Sequence, residues 1–290
     1  VLYRANFQSR ALEEAFLRKN ITYTLLGTKF FERKEVKDVI SYIRAALNQD
    51  STVDIKRIIN TPVRGIGKTT VLKILEGKEH ELTSSAKEKV QSFRSLLAAI
   101  EQKTRTDKAS EVIKYVITMS GMEKNFKEED EQERLENVRE LVTLALKYDT
   151  YTAPEGIEKM LEEAALASDQ DTIESDKERE KKPGVKLMTV HASKGLEFDF
   201  VFISGLEQEL FPHTKMQEGG TPESEEEERR LFYVALTRAR KKLFLSHANV
   251  RTIFGSKQIA LPSEFISDID EDLKEDQKPI SGIKSIFIDF

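Results

Sequence analysis

Hydrophobic periodicity changes twice along this 290-residue chain, and the two changes leave few architectures open. Val1-Leu2-Tyr3-Arg4-Ala5 reads as a short strand, and Ser9 is placed to cap a helix carrying Leu12, Ala15, Phe16 and Leu17 at helical spacing. Ile21 to Leu26 is β-prone and stops at Gly27. From Lys34 onward Val36, Val39, Ile40, Ile43 and Leu47 mark an amphipathic helix, and a turn with Pro62, Gly65 and Gly67 follows. Between about residues 70 and 167 the apolar side chains fall on helical faces: Val90, Phe93 and Leu97, then Val112, Ile113 and Val116, then Leu135, Val138 and Leu141. Strand character returns at Val185 to Val190 and Phe198 to Ser204, both apolar enough for parallel strands covered on two faces. A helix from Glu225 to Arg238, a strand from Lys242 to Ser246 and a last helix started by Pro262 near Phe265 complete the alternation.

This order predicts one α/β domain interrupted by a mainly helical one. The boundaries read as 1–97 and 184–270 for the α/β domain, 98–183 for the insertion and 271–290 for a tail with no assigned role. Ser168 to Pro183, dense in charge of both signs with Ile173 its one apolar side chain, reads as a solvated connector or mobile loop.

Composition narrows the function. Charged residues make up 33% and hydrophobic ones 39%, which fits a folded, soluble and highly charged protein. The absence of cysteine excludes disulfides, thiolate nucleophiles and cysteine-ligated zinc, and His80, His191, His213 and His247 lack metal-ligand spacing. No apolar run suits a bilayer span and the start lacks a signal-peptide layout, so a cytoplasmic protein without a membrane partner is expected. A net charge of -5 disfavours a uniformly basic nucleic-acid binder but leaves room for a local basic groove. Val1 lies already inside a strand-like run, which reads as a piece of a longer protein.

Three segments stand out together: Val1 to Arg10 (VLYRANFQSR), Leu187 to Phe198 (LMTVHASKGLEF) and Glu226 to Ala239 (EEERRLFYVALTRA). In order and content they resemble motifs IV, V and VI of the UvrD/PcrA/Rep family of superfamily 1A DNA helicases. The resemblance also takes in Phe31 to Asp38, Thr61 to Gly67, Gly205 to Pro212 and Arg251 to Gly255. It implies a RecA-like parallel-sheet motor domain (2A) split by an inserted, mainly helical domain (2B). The chain would then be the C-terminal half of an ATP-dependent 3′-to-5′ DNA helicase acting in repair or replication. Its partners would be single-stranded DNA, a duplex junction and N-terminal motor domains of the same polypeptide, which would hold most of the ATP and Mg²⁺. Two other readings are a non-enzymatic DNA-binding or regulatory module and the helicase part of a nuclease-coupled recombination enzyme.

Each candidate residue has a chemical reason and a plainer alternative. Arg238, near the end of a charged helix, presents a permanently charged fork suited to phosphate. The resemblance makes it an arginine finger on the γ-phosphate of ATP; the plainer reading is a surface arginine paired with Glu226 to Glu228. Tyr3 is an aromatic able to stack on adenine and Arg4 would reach the γ-phosphate, or they are a half-buried strand aromatic and a surface charge. After a buried strand, Thr189, His191 and Lys194 could meet a DNA strand, Gly195 permits close approach, and Glu197 could accept a ribose hydroxyl. Alternatively His191 is simply solvated and Lys194 pairs with Glu197.

Arg64 to Thr70 (RGIGKTT) is not a phosphate-binding P-loop, because the required first glycine position is Pro62 and no buried strand precedes it. The spacing resembles a helix-hairpin-helix turn in which Gly65 and Gly67 expose amides to a DNA phosphate and Lys68 adds charge; a plain helix-helix turn is the alternative. For Phe254 the resemblance implies base stacking, against an ordinary core phenylalanine.

Overall fold

A computed structural model describes residues 1–169, 183–213 and 222–275 of the chain. In chain order the elements are β1 (Leu2–Tyr3), α1 (Ser9–Arg18) and β2 (Tyr23–Leu25). Eight helices follow: α2 (Lys34–Leu47), α3 (Thr52–Ile58), α4 (Lys68–Leu75), α5 (Ser84–Thr106), α6 (Ala109–Met119), α7 (Met122–Glu128), α8 (Gln132–Ala145) and α9 (Glu155–Asp169). The chain then returns to β3 (Val185–Thr189), β4 (Phe198–Ser204), α10 (Pro222–Leu236), β5 (Ala239–Ser246), β6 (Val250–Ile253), β7 (Ser256–Ile259) and α11 (Glu264–Ser267). Among the described residues no helix is long and apolar enough to cross a membrane.

Two compact units result: Val1–Lys29 with Glu174–Phe290, and Phe30–Ile173. The first is α/β. Its five strands lie in the order β2-β3-β1-β4-β5, every neighbouring pair parallel, the arrangement expected of a RecA-like domain. Register is set by apolar side chains: Leu2 lies opposite Met188 and Ile203, and Val201 opposite Leu243. Leu2, Met188, Val201 and Ile203 form one core with Phe232 and Ala235 of α10 and Phe265 of α11. Ala11 and Leu12 of α1 line a cavity with Ser204 and Ser246, which places α1 on the opposite face. This division follows from handedness: β1 to β2 and β4 to β5 step across the sheet in opposite directions, so right-handed crossovers put their helices on opposite faces.

The second unit is all helical among its described residues. Its core joins Val36, Val39, Tyr42 and Ile43 of α2 to Phe93, Leu97 and Ile100 of α5, Val112, Ile113 and Val116 of α6, and Leu135, Val138 and Leu141 of α8. Here the structure differs from the boundary read at residues 97 and 98. The apolar face of α2 is buried against α5, α6 and α8 rather than against the sheet, so the helical unit begins at Phe30. Several polar groups inside it are paired: Arg33 donates to Asn137 and Asn137 to Glu35, each at 2.7 Å, and Arg57 forms an ion pair with Asp38 at 2.6 Å.

Several local expectations are corrected. Ser9 does not cap α1; it is its first residue, after a 3₁₀ turn, and Gln8 Oε1 accepts from the Ala5 amide at 2.7 Å. Ser263, not Pro262, starts α11, accepting from the Phe265 amide. The β6–β7 hairpin had no counterpart in the sequence reading. Nor is β4 covered on both faces: Val201 and Ile203 are buried while Phe200 is 60% and Phe202 46% exposed. Most of the expected connector (residues 170–182) and all but the first residues of the tail lie outside the described residues.

Candidate functional site

In open α/β sheets ligands meet the carboxyl ends of the strands, and Tyr3, Arg4, Thr189 and His191 lie at those of β1 and β3, whereas Glu197 and Arg238 lie at the amino ends of β4 and β5. Arg4 follows β1 directly. Its Nε donates to both carboxylate oxygens of Glu228 at 2.9 Å and its Nη2 to Oε1 at 2.6 Å. The His213 amide adds a bond to Glu228 Oε2 at 2.9 Å. Charge-assisted bonds of this kind orient a guanidinium firmly. Glu228 occupies one edge of the group, and Arg4 Nη1 makes no hydrogen bond among the described residues.

Sequence reasoning treated Glu228 only as one of a charged run. Its spacing held the missing signal: Glu228, Phe232 and Ala235 fall at i, i+4 and i+7, so Glu228 shares the buried face of α10.

Arg238 follows α10 and pairs with no carboxylate among the described residues. Its Nε donates to the Val234 carbonyl at 2.9 Å, Nη1 to the Leu196 carbonyl at 2.8 Å and Nη2 to Thr237 Oγ1 at 2.9 Å. The Phe198 amide in turn donates to the Arg238 carbonyl at 2.9 Å. The surface pairing with Glu226 to Glu228, the plainer alternative for Arg238, belongs to other arginines: Arg230 takes Glu226, and Arg4 takes Glu228.

Between β3 and β4 the chain makes a 3₁₀ turn, His191–Ser193, closed by Thr189 Oγ1 accepting from the Ala192 amide at 3.2 Å. Ser193 is buried, and its hydroxyl donates to the Val190 carbonyl at 2.7 Å. The surrounding protein lowers the pKa of His191 from its ordinary 6.5, first by desolvation and then by the charge of Arg4, against opposing pulls from Glu228 and Glu227. Lys194 is exposed and has no side-chain partner among the described residues. Gly195 sits at φ +88 with open space around it, a turn that an L side chain would strain. Glu197 pairs with Arg240 at 2.9 Å, not with Lys194.

The two candidate aromatics differ in exposure. Tyr3 is 1% exposed, so its ring is covered and offers no face to a base. Phe254 is half-buried, its ring 5.1 Å from that of Phe7. It occupies the two-residue loop of the β6–β7 hairpin at φ +53, followed by Gly255 at φ +81. A bulky side chain at positive φ is strained, and such strain is worth tracing to a role. A further residue missed by sequence reasoning, buried Glu207, holds Arg251 through two bonds of 2.6 Å and accepts from the Ala248 amide at 2.7 Å, fixing the start of this hairpin.

In the helical unit, Arg64 anchors the glycine turn. Its Nη1 donates to the carbonyls of Ile58 and Thr61 at 3.1 Å and Pro62 at 3.2 Å, and its Nη2 to Ser120 at 2.8 Å and to the Tyr42 hydroxyl. Asn60 Oδ1 accepts from the amides of Arg64 and Ile66. Ile66 is buried while Gly65, Gly67 and Lys68 are exposed. Gly65 needs its glycine, at φ +66 with Lys89 Nζ where a Cβ would sit; Gly67 has extended backbone and open space. It caps α4 with no side-chain acceptor, and Lys68 has no side-chain partner among the described residues.

Residues 1–250 match the UvrD-like helicase C-terminal domain. An ATP-dependent DNA helicase PcrA of Staphylococcus epidermidis is 37% identical over 294 residues, covering 94% of this chain and 40% of the relative. One of Staphylococcus aureus is 36% identical over 296 residues, covering 95% and 40%. The chain thus spans about 40% of the length of these relatives. With the motif order, the parallel sheet and a family match over most of its length in agreement, the chain belongs to the UvrD-like helicase C-terminal domain family.

Proposed function

We propose that the chain is the second motor unit of an ATP-dependent DNA helicase that moves 3′ to 5′, its helical unit being the domain the family inserts there. The observation that carries this reading is Arg4, held edge-on by Glu228 at the carboxyl end of β1 with Nη1 left for a further acceptor. A guanidinium fixed by a carboxylate on one edge is prepared for a phosphate oxygen on the other. In the longer polypeptide, an N-terminal motor domain holds ATP and Mg²⁺, and Arg4 and Arg238 close onto the γ-phosphate. Arg238 must then exchange its carbonyl acceptors for phosphate oxygens. Releasing the Leu196 carbonyl frees the loop that bears His191, Lys194, Gly195 and Glu197, which links nucleotide state to the DNA strand followed by Thr189, His191, Lys194 and Phe254. Glu197 reaches a ribose hydroxyl only by leaving Arg240. Tyr3 is left out because its ring is covered. Gly65, Gly67 and Lys68 take duplex phosphates through backbone amides and one ammonium.

The test uses the longer polypeptide. Arg4→Ala and Arg238→Ala should each lower DNA-stimulated ATP turnover by about 10³-fold or more, the range for such fingers, while single-strand affinity changes little. Parallel loss of turnover and DNA affinity would overturn the assignment.

A further inference from the structure

The β6–β7 hairpin is tied down at two places. At its start, buried Glu207 holds Arg251 and the Ala248 amide. At its tip, Phe254 and Gly255 form the two-residue loop between the paired residues Ile253 and Ser256, and both have positive φ. Two positive φ values make this a type I′ turn, whose first position suits Asn, Asp or Gly; a phenylalanine there is strained. Among the described residues Phe7 supplies the one ring in contact with Phe254, with centroids 5.1 Å apart and planes inclined at 56°. Phe7 is 5% exposed and forms a small core with Ala5 and Leu210, against which Ile253 and Phe254 pack. That core is separate from the one beneath α10, so the hairpin tip is part of what closes it.

Phe7 is fixed from its other side as well. It lies in the 3₁₀ turn Asn6–Gln8, which is closed twice onto Ala5: the Gln8 amide donates to the Ala5 carbonyl at 3.1 Å, and Gln8 Oε1 accepts from the Ala5 amide at 2.7 Å. We propose, on the single-strand role given to Phe254 above, that Phe7 is a positioning residue whose covered ring holds Phe254 in its left-handed loop conformation, ready for a DNA base. A phenylalanine held by nothing at a hairpin tip samples several rotamers and loses that freedom on meeting a base; packing against Phe7 removes the loss beforehand. Phe254 stays only half-buried, which leaves part of its ring for the base, whereas Phe7 is covered and acts through Phe254.

The test uses the longer polypeptide, a fluorescent oligothymidylate and DNA-stimulated ATP turnover. Phe254→Ala should weaken oligothymidylate binding about tenfold, the effect of one stacked base. Phe7→Ala should weaken it by a comparable factor although its ring is covered, and the double variant should bind no more weakly than Phe254→Ala alone. The oligothymidylate concentration for half-maximal turnover should rise by the same factor in both single variants. Turnover at saturating DNA should stay unchanged, because Arg4 is held by Glu228 and not by Phe7. Phe7→Leu, which keeps most of the apolar volume, should recover part of the loss and bind about threefold more weakly than wild type, a difference that again vanishes beside Phe254→Ala. If Phe7→Ala melts early, Phe7→Leu carries the same test. Normal binding by both Phe7 variants, with a loss for Phe254→Ala, overturns the positioning role and leaves that of Phe254 standing. Additive losses overturn it, since Phe7 then acts on DNA by a route of its own. So does a fall in saturated turnover without a change in half-maximal concentration, which would make Phe7 a support for Arg4. Normal binding by Phe254→Ala removes the single-strand role of Phe254 and the positioning role with it.

Discussion

Arg4 and Glu228, 224 residues apart in sequence, meet edge to edge: Nε and Nη2 of the guanidinium face the carboxylate, and Nη1 is turned away from it. Glu228 is nearly buried and Arg4 only partly so, with side-chain exposures of 9% and 20%. Removing the carboxylate leaves a largely desolvated cation. Glu228→Ala should therefore destabilise the chain by about 2–4 kcal/mol, and Arg4→Ala and Glu228→Ala should couple by roughly 1–3 kcal/mol in a double-mutant cycle read by urea unfolding. Additive effects would show that the pair is geometrically close but energetically independent.

His191 supplies a pH dependence. Its folded pKa lies below 6.5, so between that lowered value and 6.5 the unfolded chain binds more protons than the folded one. Stability from this group is complete above 6.5 and is lost as pH falls through the folded value. Wild type should lose stability relative to His191→Gln as pH falls through this window, while above about pH 7.5 their difference should stay constant. A constant difference across the whole range would place the histidine in ordinary solvent.

Phe254→Asn separates strain from packing, because Asn tolerates the φ of +53 that Phe adopts here. Relief of about 1–2 kcal/mol of backbone strain offsets the lost contact of a half-buried ring, so the melting temperature should move little. Single-strand affinity of the longer polypeptide should fall by the ~1–3 kcal/mol of one stacked base. A variant that melts early yet binds DNA normally would make Phe254 a packing residue of the Phe7 cluster.

Gly67→Asp is the clean probe of the glycine turn. At Gly67 the backbone accepts a side chain and the space is open, whereas Gly65 at φ +66 would be strained by any replacement. Asp at a helix N-cap should raise stability by a few tenths of a kcal/mol while placing negative charge where a phosphate would approach. Thermal melting should rise, and unwinding of a tailed duplex should fall while single-strand translocation persists. Normal unwinding by this variant would reduce the turn to a helix–helix corner.

Features that depend on near neighbours along the chain were legible before any folding was known. Hydrophobic period marked β3, β4, α2, α5, α6 and α8, because burying one face of an element requires apolar residues at that element's own repeat. Gly65 marked a turn because its positive φ favours glycine over other residues. The order of three motifs, each a local string, indicated the family. Tertiary structure decided how charges pair and which faces are covered. A run of four glutamates cannot say that Glu228 alone meets Arg4, since the partner arrives from the other end of the chain. Tyr3 and Phe202 are both strand aromatics, yet one is 1% and the other 46% exposed, a difference set by what packs on each face of the sheet. The helical unit begins at Phe30 for the same reason: the periodicity of α2 shows that it has an apolar face, but α5, α6 and α8, brought together only by the fold, are what that face buries.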